Sequence, residues 1–407
     1  MKPLILSGQA IAVNGMARGP DRIVVRLRTQ TDVRREPHIQ DMALVRTADD
    51  ATAARAAGFQ AACVVGGNES LADGFDQHIR LPSGFDYLGD GDIIGLHPRS
   101  RKLRVVYRRS SRHNSFLVTE RCNHYCLMCS QPPRDIDDGW ILDEIEAALP
   151  LIDPSTGSIG FTGGEPLLEW RRFISLLNST RAILPDTEVH VLTNGRGFAS
   201  PEVTSAWAAI GHKRLCAGIP IYSSVDHVHD YVVQARDAFD ETVLGILRLK
   251  DKGQRVEIRV VLHHLTAPRL VETCSWIARN LPFVDHVALM GLENTGFALA
   301  NQELLWIDPL DYRENLTQSV NILSAAKVNV SIYNLPLCLL DREVWPFAAQ
   351  SISDWKNAYL PACDTCAVRG QCAGFFSTGR MRESRGIRPV MAGVPGTDDY
   401  THAEIVP

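Results

Sequence analysis

Between residues 115 and 327 the sequence alternates six times between a short apolar run and a longer segment of helical periodicity, and this pattern restricts the fold more than any other feature. Strands are expected at 115–120, 158–162, 188–193, 215–221, 256–262 and 286–290. Helices are expected around 140–152, 169–184, 201–210, 239–252, 269–280 and 309–327. Strands separated by helices pair in parallel, because parallel neighbours need a crossover connection. The expected class is α/β, a partial or complete β/α barrel whose ligand crevice lies at the carboxyl ends of its strands.

The flanks read differently. Residues 1–112 hold short apolar stretches, such as 22–27 and 91–96, punctuated by Gly, Pro and Asp, which suggests a β-rich or mixed N-terminal domain. Its end, RSRKLRVVYRRSSR, carries seven basic residues and no acid. That run suits either the docking of an acidic peptide or partner, or a solvated strand face. The whole chain has 42 Lys+Arg against 47 Asp+Glu, a net charge of −5, so bulk charge gives no reason to expect nucleic acid. No apolar run approaches the ~20 residues of a membrane span. The opening MKPLILSGQAIAVNG soon turns polar and fails as a signal peptide, so a cytoplasmic protein is expected. Residues 391–407 show little periodicity and read as a flexible tail.

Without an export signal, the ten cysteines should stay reduced, and a cluster of them points to metal binding or catalysis. Cys63, Cys216 and Cys274 stand alone and read as buried core thiols. Cys122, Cys126 and Cys129 form a C-x3-C-x2-C array just after the first barrel strand. Three thiolates on one loop can hold three irons of a 4Fe-4S cluster and leave the fourth iron open to a ligand. A zinc ion with His124 as fourth ligand is the alternative. One βα unit later comes Gly163-Gly164-Glu165-Pro166, in which glycines let backbone approach a ligand and a carboxylate can receive a cationic amine. Thr193-Asn194-Gly195 ends the third strand.

These motifs together resemble the radical S-adenosylmethionine (SAM, AdoMet) superfamily. The resemblance implies a partial (β/α)6 radical SAM barrel over 113–327, with Cys122, Cys126 and Cys129 holding the catalytic [4Fe-4S] cluster. It implies that Gly163, Gly164 and Glu165 bind the AdoMet amino group, with Thr193, Asn194, Ser223 and Arg259 as further cofactor contacts. It also implies the chemistry: the reduced cluster passes an electron to the sulfonium, and a 5'-deoxyadenosyl radical abstracts hydrogen from the substrate. Met128 stands where an aromatic residue is frequent in the superfamily. Ile221 replaces the Ser usual in the peptide-modifying branch eight residues before His229, and Tyr222 or Ser223 is the candidate substitute. Cys338, Cys363, Cys366 and Cys372, within 328–390, are similar to an auxiliary-cluster extension and imply one auxiliary [4Fe-4S] cluster. The same four cysteines also make a legitimate zinc pattern.

More closely, RCNHYCLMCSQPP, HDYVVQA, LPFVDHVALMGLENTG, WPFAAQSISDWKNAYLPACDTC and CAGFF resemble the C-type radical SAM maturase of the His-Xaa-Ser repeat peptide system. That implies a ribosomally synthesised precursor peptide as substrate. It also implies a B-type radical SAM maturase, a small D-type protein and an electron donor as partners. Substrate-site candidates at strand ends are Tyr222, Asp226, His229, Asp230, His263, His264, Glu293 and Asn294, each of which also suits a capping or rim role. Two other readings remain: a radical SAM enzyme acting on RNA or a small molecule, and a zinc-stabilised binding or scaffold protein.

Overall fold

A computed structural model describes residues 6–16, 21–29, 38–350, 358–376 and 382–392. Most of the tail expected at 391–407, and residues 351–357 of the WPFAAQSISDWKNAYLPACDTC motif, lie outside the described residues.

The first sheet contains β1 (Ser7–Gln9), β2 (Ala12–Asn14), β3 (Ile23–Arg28), β4 (Asp41–Val45), β5 (Ala61–Val65), β6 (Gln77–Leu81), β7 (Ile93–His97) and β8 (Lys102–Tyr107). Helix α1 (Ala48–Ala56) follows β4 and starts at a capping box, in which Thr47 Oγ1 accepts from Asp50 N and the Asp50 carboxylate accepts from Thr47 N. The order β1-β8-β7-β3-β4-β5-β6-β2 is mixed, with β3 to β6 parallel and the other pairs antiparallel. Its two outer strands are neighbours in sequence. One short segment therefore borders both edges, with Ala10 N donating to Arg101 O and Ile11 N to Arg80 O. The sheet encloses an apolar core that includes Leu27, Met42, Cys63, Ile79 and Phe85.

The second sheet places seven strands, among the described residues, side by side and all parallel: β9 (Asn114–Leu117), β10 (Ser158–Thr162), β11 (Glu188–Leu192), β12 (Leu215–Pro220), β13 (Arg255–Leu262), β14 (His286–Gly291) and β15 (Val330–Tyr333). The intervening helices are α2 (Trp140–Ala148), α3 (Trp170–Ile183), α4 (Pro201–Ile210), α5 (Asp226–Val233), α6 (Ala238–Asp251), α7 (Leu270–Asn280), α8 (Gly296–Ala300), α9 (Gln302–Leu305) and α10 (Arg313–Ala325). The mixed α/β class and the parallel sheet are as expected. The strand β15 and the short helices α5, α8 and α9 are additions to the sequence reading.

Alternation along each strand sorts the side chains. Phe161, Val191, Ile258 and Leu289 pack outward under the helices in the main core, where Phe161 meets Phe173 edge-on at 5.7 Å. The intervening positions, among them Gly160, His190, Gly218, Glu257 and Arg259, line the inner face.

The two sheets are joined through α2. Arg22 lies over the Trp140 ring at 3.2 Å. The buried Glu144 carboxylate sits 3.4 Å from Arg104 and 4.0 Å from Arg22, and a Cβ at Gly95 would lie only 2.1 Å from it. Burial pushes the Glu144 carboxyl above its ordinary value despite the two guanidinium groups. Removing a partner should therefore cost more than the pair itself contributes. Arg104→Ala is expected to lower unfolding stability by about 2–3 kcal/mol at pH 7 in urea titrations. The loss should shrink toward acidic pH, because a carboxyl whose folded pKa is raised is penalised only where it ionises.

Candidate active site

The Cys122–Cys129 loop leaves the carboxyl end of β9 and is held by backbone and side-chain hydrogen bonds. On its entry side, Asp138 Oδ2 accepts from Thr119 Oγ1 at 2.9 Å and from Glu120 N at 2.5 Å. Along the loop, Tyr125 N donates to Val233 O and Leu127 N to Val232 O, so the end of α5 carries it. On the exit side, Phe297 N donates to Cys129 O at 2.8 Å and Asn301 Nδ2 to Leu127 O at 2.9 Å. Gly296, at φ +55°, lies where a Cβ would meet Cys129 O at 2.5 Å.

The three thiols are close enough to disfavour each other's ionisation. Burial pushes Cys122 up to about 12, with Glu165 and Cys129 adding to the effect. Cys126 is raised by burial and then by Cys129 and Cys122. A bound metal centre, whether zinc or an iron-sulfur cluster, would favour their thiolate forms. Among the described residues, no three His, Cys, Asp or Glu side chains converge as ligands of a single ion. His124 is buried, and Arg196, His229 and Asp230 are its charged neighbours rather than the thiols.

The Gly163-Gly164-Glu165 segment lies directly against the start of this loop. Gly164 N donates to Thr119 O and Glu165 N to Arg121 O, both at 2.8 Å. A Cβ at Gly164 would lie 1.9 Å from Arg121 O, and one at Gly163 would lie 2.5 Å from Thr119 O. The Glu165 carboxylate is buried and already accepts three internal hydrogen bonds: from Leu167 N (2.9 Å), Thr193 Oγ1 (2.7 Å) and Asn194 N (2.7 Å). It ties the end of β10 to the end of β11. Asn194 Nδ2 in turn donates to Asn123 Oδ1 at 2.7 Å, which joins the third strand end to the cysteine loop. Asn123, Asn301, Gly296 and Asp138 went unnoticed in the sequence, because each meets partners brought near only by the fold.

The other candidates are less alike than their sequence positions suggest. Ser223 is buried and its Oγ accepts from Val225 N, closing the turn into α5. Asp230 accepts from Phe239 N at the start of α6, and Asp226 is exposed beside His227. Tyr222 is buried near Cys126, Cys129 and Arg259, and stacks at 5.7 Å on His229, whose Nδ1 accepts from Tyr222 N. Asn294 is buried with no partner for either amide atom among the described residues, Glu293 is half-buried, and His264 is exposed. Arg259 is tied to Glu257 at 2.7 Å.

His229 and His263 are fully buried. Burial lowers His229 to about 4, with Arg196 adding to it, and lowers His263 to about 3. Both are neutral in the folded state and bind protons more readily when unfolded. Stability of the cluster-free protein should therefore be full above pH ~6.5 and fall toward pH 4, by up to ~1.4 kcal/mol per pH unit for each imidazole. Urea unfolding across that range checks this, and a flat profile would contradict it.

The four C-terminal cysteines line one small cavity with Tyr359 and Arg388. Cys372 Sγ accepts from Leu337 N and Gly374 N, and Cys366 Sγ from Val390 N, each at 3.4 Å. Burial raises the Cys372 thiol above its ordinary value, an effect that the Gly374 and Leu337 N–H groups offset in part. Residues 382–392 return to the barrel through ion pairs of Arg382 with Glu303 and of Arg385 with Asp308 and Asp311. Cys216 and Cys274 are buried singly, as Cys63 is in the first sheet.

The basic run is largely engaged within the chain. Arg99 pairs with Asp21, Arg101 donates to Ile11 O, Arg104 faces Glu144, Arg108 lies over Tyr87, and Arg109 pairs with Asp90 and Asp153. No helix among the described residues is long and apolar enough to cross a membrane.

Residues 116–277 match the family model described as the Radical SAM superfamily. No curated protein matches the chain. Its fold is similar to that of SuiB of Streptococcus suis bound to S-adenosylmethionine, at 14% identity and a TM-score of 0.43, over 55% of this chain and 50% of SuiB. It is also similar to native anSMEcpe with bound AdoMet (16%, TM-score 0.41, over 53% and 63%) and to methylornithine synthase, PylB (14%, TM-score 0.41, over 55% and 64%). The match spans about half the length of SuiB.

Proposed function

We propose that the protein is a radical SAM maturase that modifies a ribosomally synthesised precursor peptide bearing His-Xaa-Ser repeats. The observation that carries the enzyme reading is the joining of the Cys122–Cys129 loop to Gly163-Gly164-Glu165 at the carboxyl ends of parallel strands. Cys122, Cys126 and Cys129 would hold a [4Fe-4S] cluster with one open iron. A reduced cluster with AdoMet bound supplies a hydrogen-abstracting carbon radical.

The chain's own residues have distinct tasks. With both Glu165 oxygens engaged internally, the Gly163 and Gly164 carbonyls are the acceptors available for the AdoMet amino group. Glu165, Thr193 and Asn194 fix the pose of that segment. Tyr222 and the buried face of α5 keep water from the back of the cysteine loop. The peptide reading rests on the sequence resemblance over about residues 100–390, which also suggests the B-type maturase, the D-type protein and an electron donor as partners.

Cys338, Cys363, Cys366 and Cys372 would hold an auxiliary [4Fe-4S] cluster that conducts electrons or binds substrate. Cys366→Ala is expected to keep at least about a third of AdoMet cleavage while lowering peptide modification at least about tenfold. Iron content and both rates, measured on the folded reconstituted variant, test this. Equal loss in both assays would contradict the division of labour, and zinc in place of the auxiliary iron would make these cysteines structural.

A further inference from the structure

The inner face of the barrel carries a charged layer where such interiors are usually filled by bulky branched apolar residues. Glu257 of β13 is buried. Its Oε1 accepts from Arg259 Nη1 at 2.7 Å and lies 3.4 Å from His190 Nε2. Its Oε2 is 2.8 Å from His286 Nδ1, and His286 Nε2 is 2.9 Å from Ser331 Oγ. Although burial opposes ionisation, Arg259 and His190 hold the Glu257 carboxyl well below its ordinary value. The pair is therefore ionised. A buried ion pair is a weak source of stability, so its presence on the inner face asks for another reason.

Arg259 is incompletely used by the fold. Its Nη1 meets Glu257 and its Nη2 the thioether of Met290, at 3.0 Å, two contacts for a group with five N–H donors. The Arg259 side chain retains some exposure, at 17%. Gly218, paired in register with Glu257, leaves the room that the His190 ring fills, since a Cβ there would lie 2.8 Å from His190 Cε1. Tyr222, which senses the charges of Cys126, Cys129 and Arg259 alike, connects this layer to the cysteine loop.

The charge balance selects the occupant. Glu257 is already the ion-pair partner of Arg259, so a second carboxylate at Arg259 would sit beside the Glu257 carboxylate in a low-dielectric site and be repelled by it. A neutral carbonyl oxygen takes the remaining N–H donors without that penalty. We propose that Arg259, anchored by Glu257, receives an amide carbonyl of the substrate peptide inside the barrel, in place of the cofactor carboxylate. This rests on the peptide reading above and adds Glu257 as a positioning residue.

The test is anaerobic calorimetry on reconstituted holoenzyme with two probes: AdoMet, and an N-acetylated, C-amidated peptide of two His-Gly-Ser repeats. Arg259→Gln is expected to weaken the peptide at least about tenfold and to change AdoMet affinity less than about twofold. Glu257→Gln, which leaves Arg259 charged and unbalanced, should improve a His-Glu-Ser peptide relative to the His-Gly-Ser peptide by about fivefold or more. The neutral pair Glu257→Gln with Arg259→Gln keeps the packing and serves where a single variant unfolds; it should lose the peptide as Arg259→Gln does. Loss of AdoMet binding with peptide affinity intact would overturn the assignment and give Arg259 to the cofactor. Wild-type enzyme that binds AdoMet but no peptide would overturn the peptide reading and this assignment together.

Discussion

Cys126→Ala is expected to abolish AdoMet cleavage and to lower the iron content by about four per chain after anaerobic reconstitution, relative to a wild type holding about eight. Cys126 is the middle cysteine of the loop, and its thiol feels both Cys122 and Cys129. The backbone of the loop is fixed by α5 and by Phe297 and Asn301, so the substitution leaves the other two cysteines in place. The fold should survive, because the loop's supports are hydrogen bonds that do not involve the Cys126 side chain. A variant that retained full iron and cleavage would remove the cysteine loop from the chemistry.

Gly164→Ala should be nearly as damaging without touching a ligand. Its Cβ would lie 1.9 Å from Arg121 O and 2.4 Å from Arg121 C, so the strand-end segment and the cysteine loop have to separate. The expected cost is about 3 kcal/mol of stability, at the upper end for overpacking. The shift of the loop should lower cleavage by about a hundredfold, the scale of a 1 Å misplacement in an active site. Gly157→Ala is the control: nothing lies within 4 Å of its added methyl group, so stability and activity should stay near wild type. Similar behaviour of the two variants would show that the close approach at Gly164 has no functional weight.

Much of this arrangement was legible in the sequence because its signals are local. The strand expected at 158–162 is β10 to the residue, and the helix expected at 201–210 is α4, since one apolar face and sharp turn residues bound each. The cysteine array and the Gly-Gly-Glu segment were visible for the same reason. Helix α5 was missed because eight residues, DHVHDYVV, are too few to display a period. Strand β15 was hidden behind α10 as the start of the extension, although Val328, Val330 and Ile332 alternate. The order of the first sheet depends on pairing residues such as Ala12 with Arg80, which no local pattern encodes. The charged inner layer is intermediate: Glu257 and Arg259 share a face by their spacing, but His190, His286 and Ser331 join them only across four strands.

The account's central claim is most directly tested by iron and sulfide content together with 5'-deoxyadenosine formation under reducing, anaerobic conditions, with and without a His-Xaa-Ser peptide. About eight irons per chain and cleavage stimulated by the peptide are the expected result. A protein that takes up no iron after careful reconstitution and forms no 5'-deoxyadenosine would contradict it.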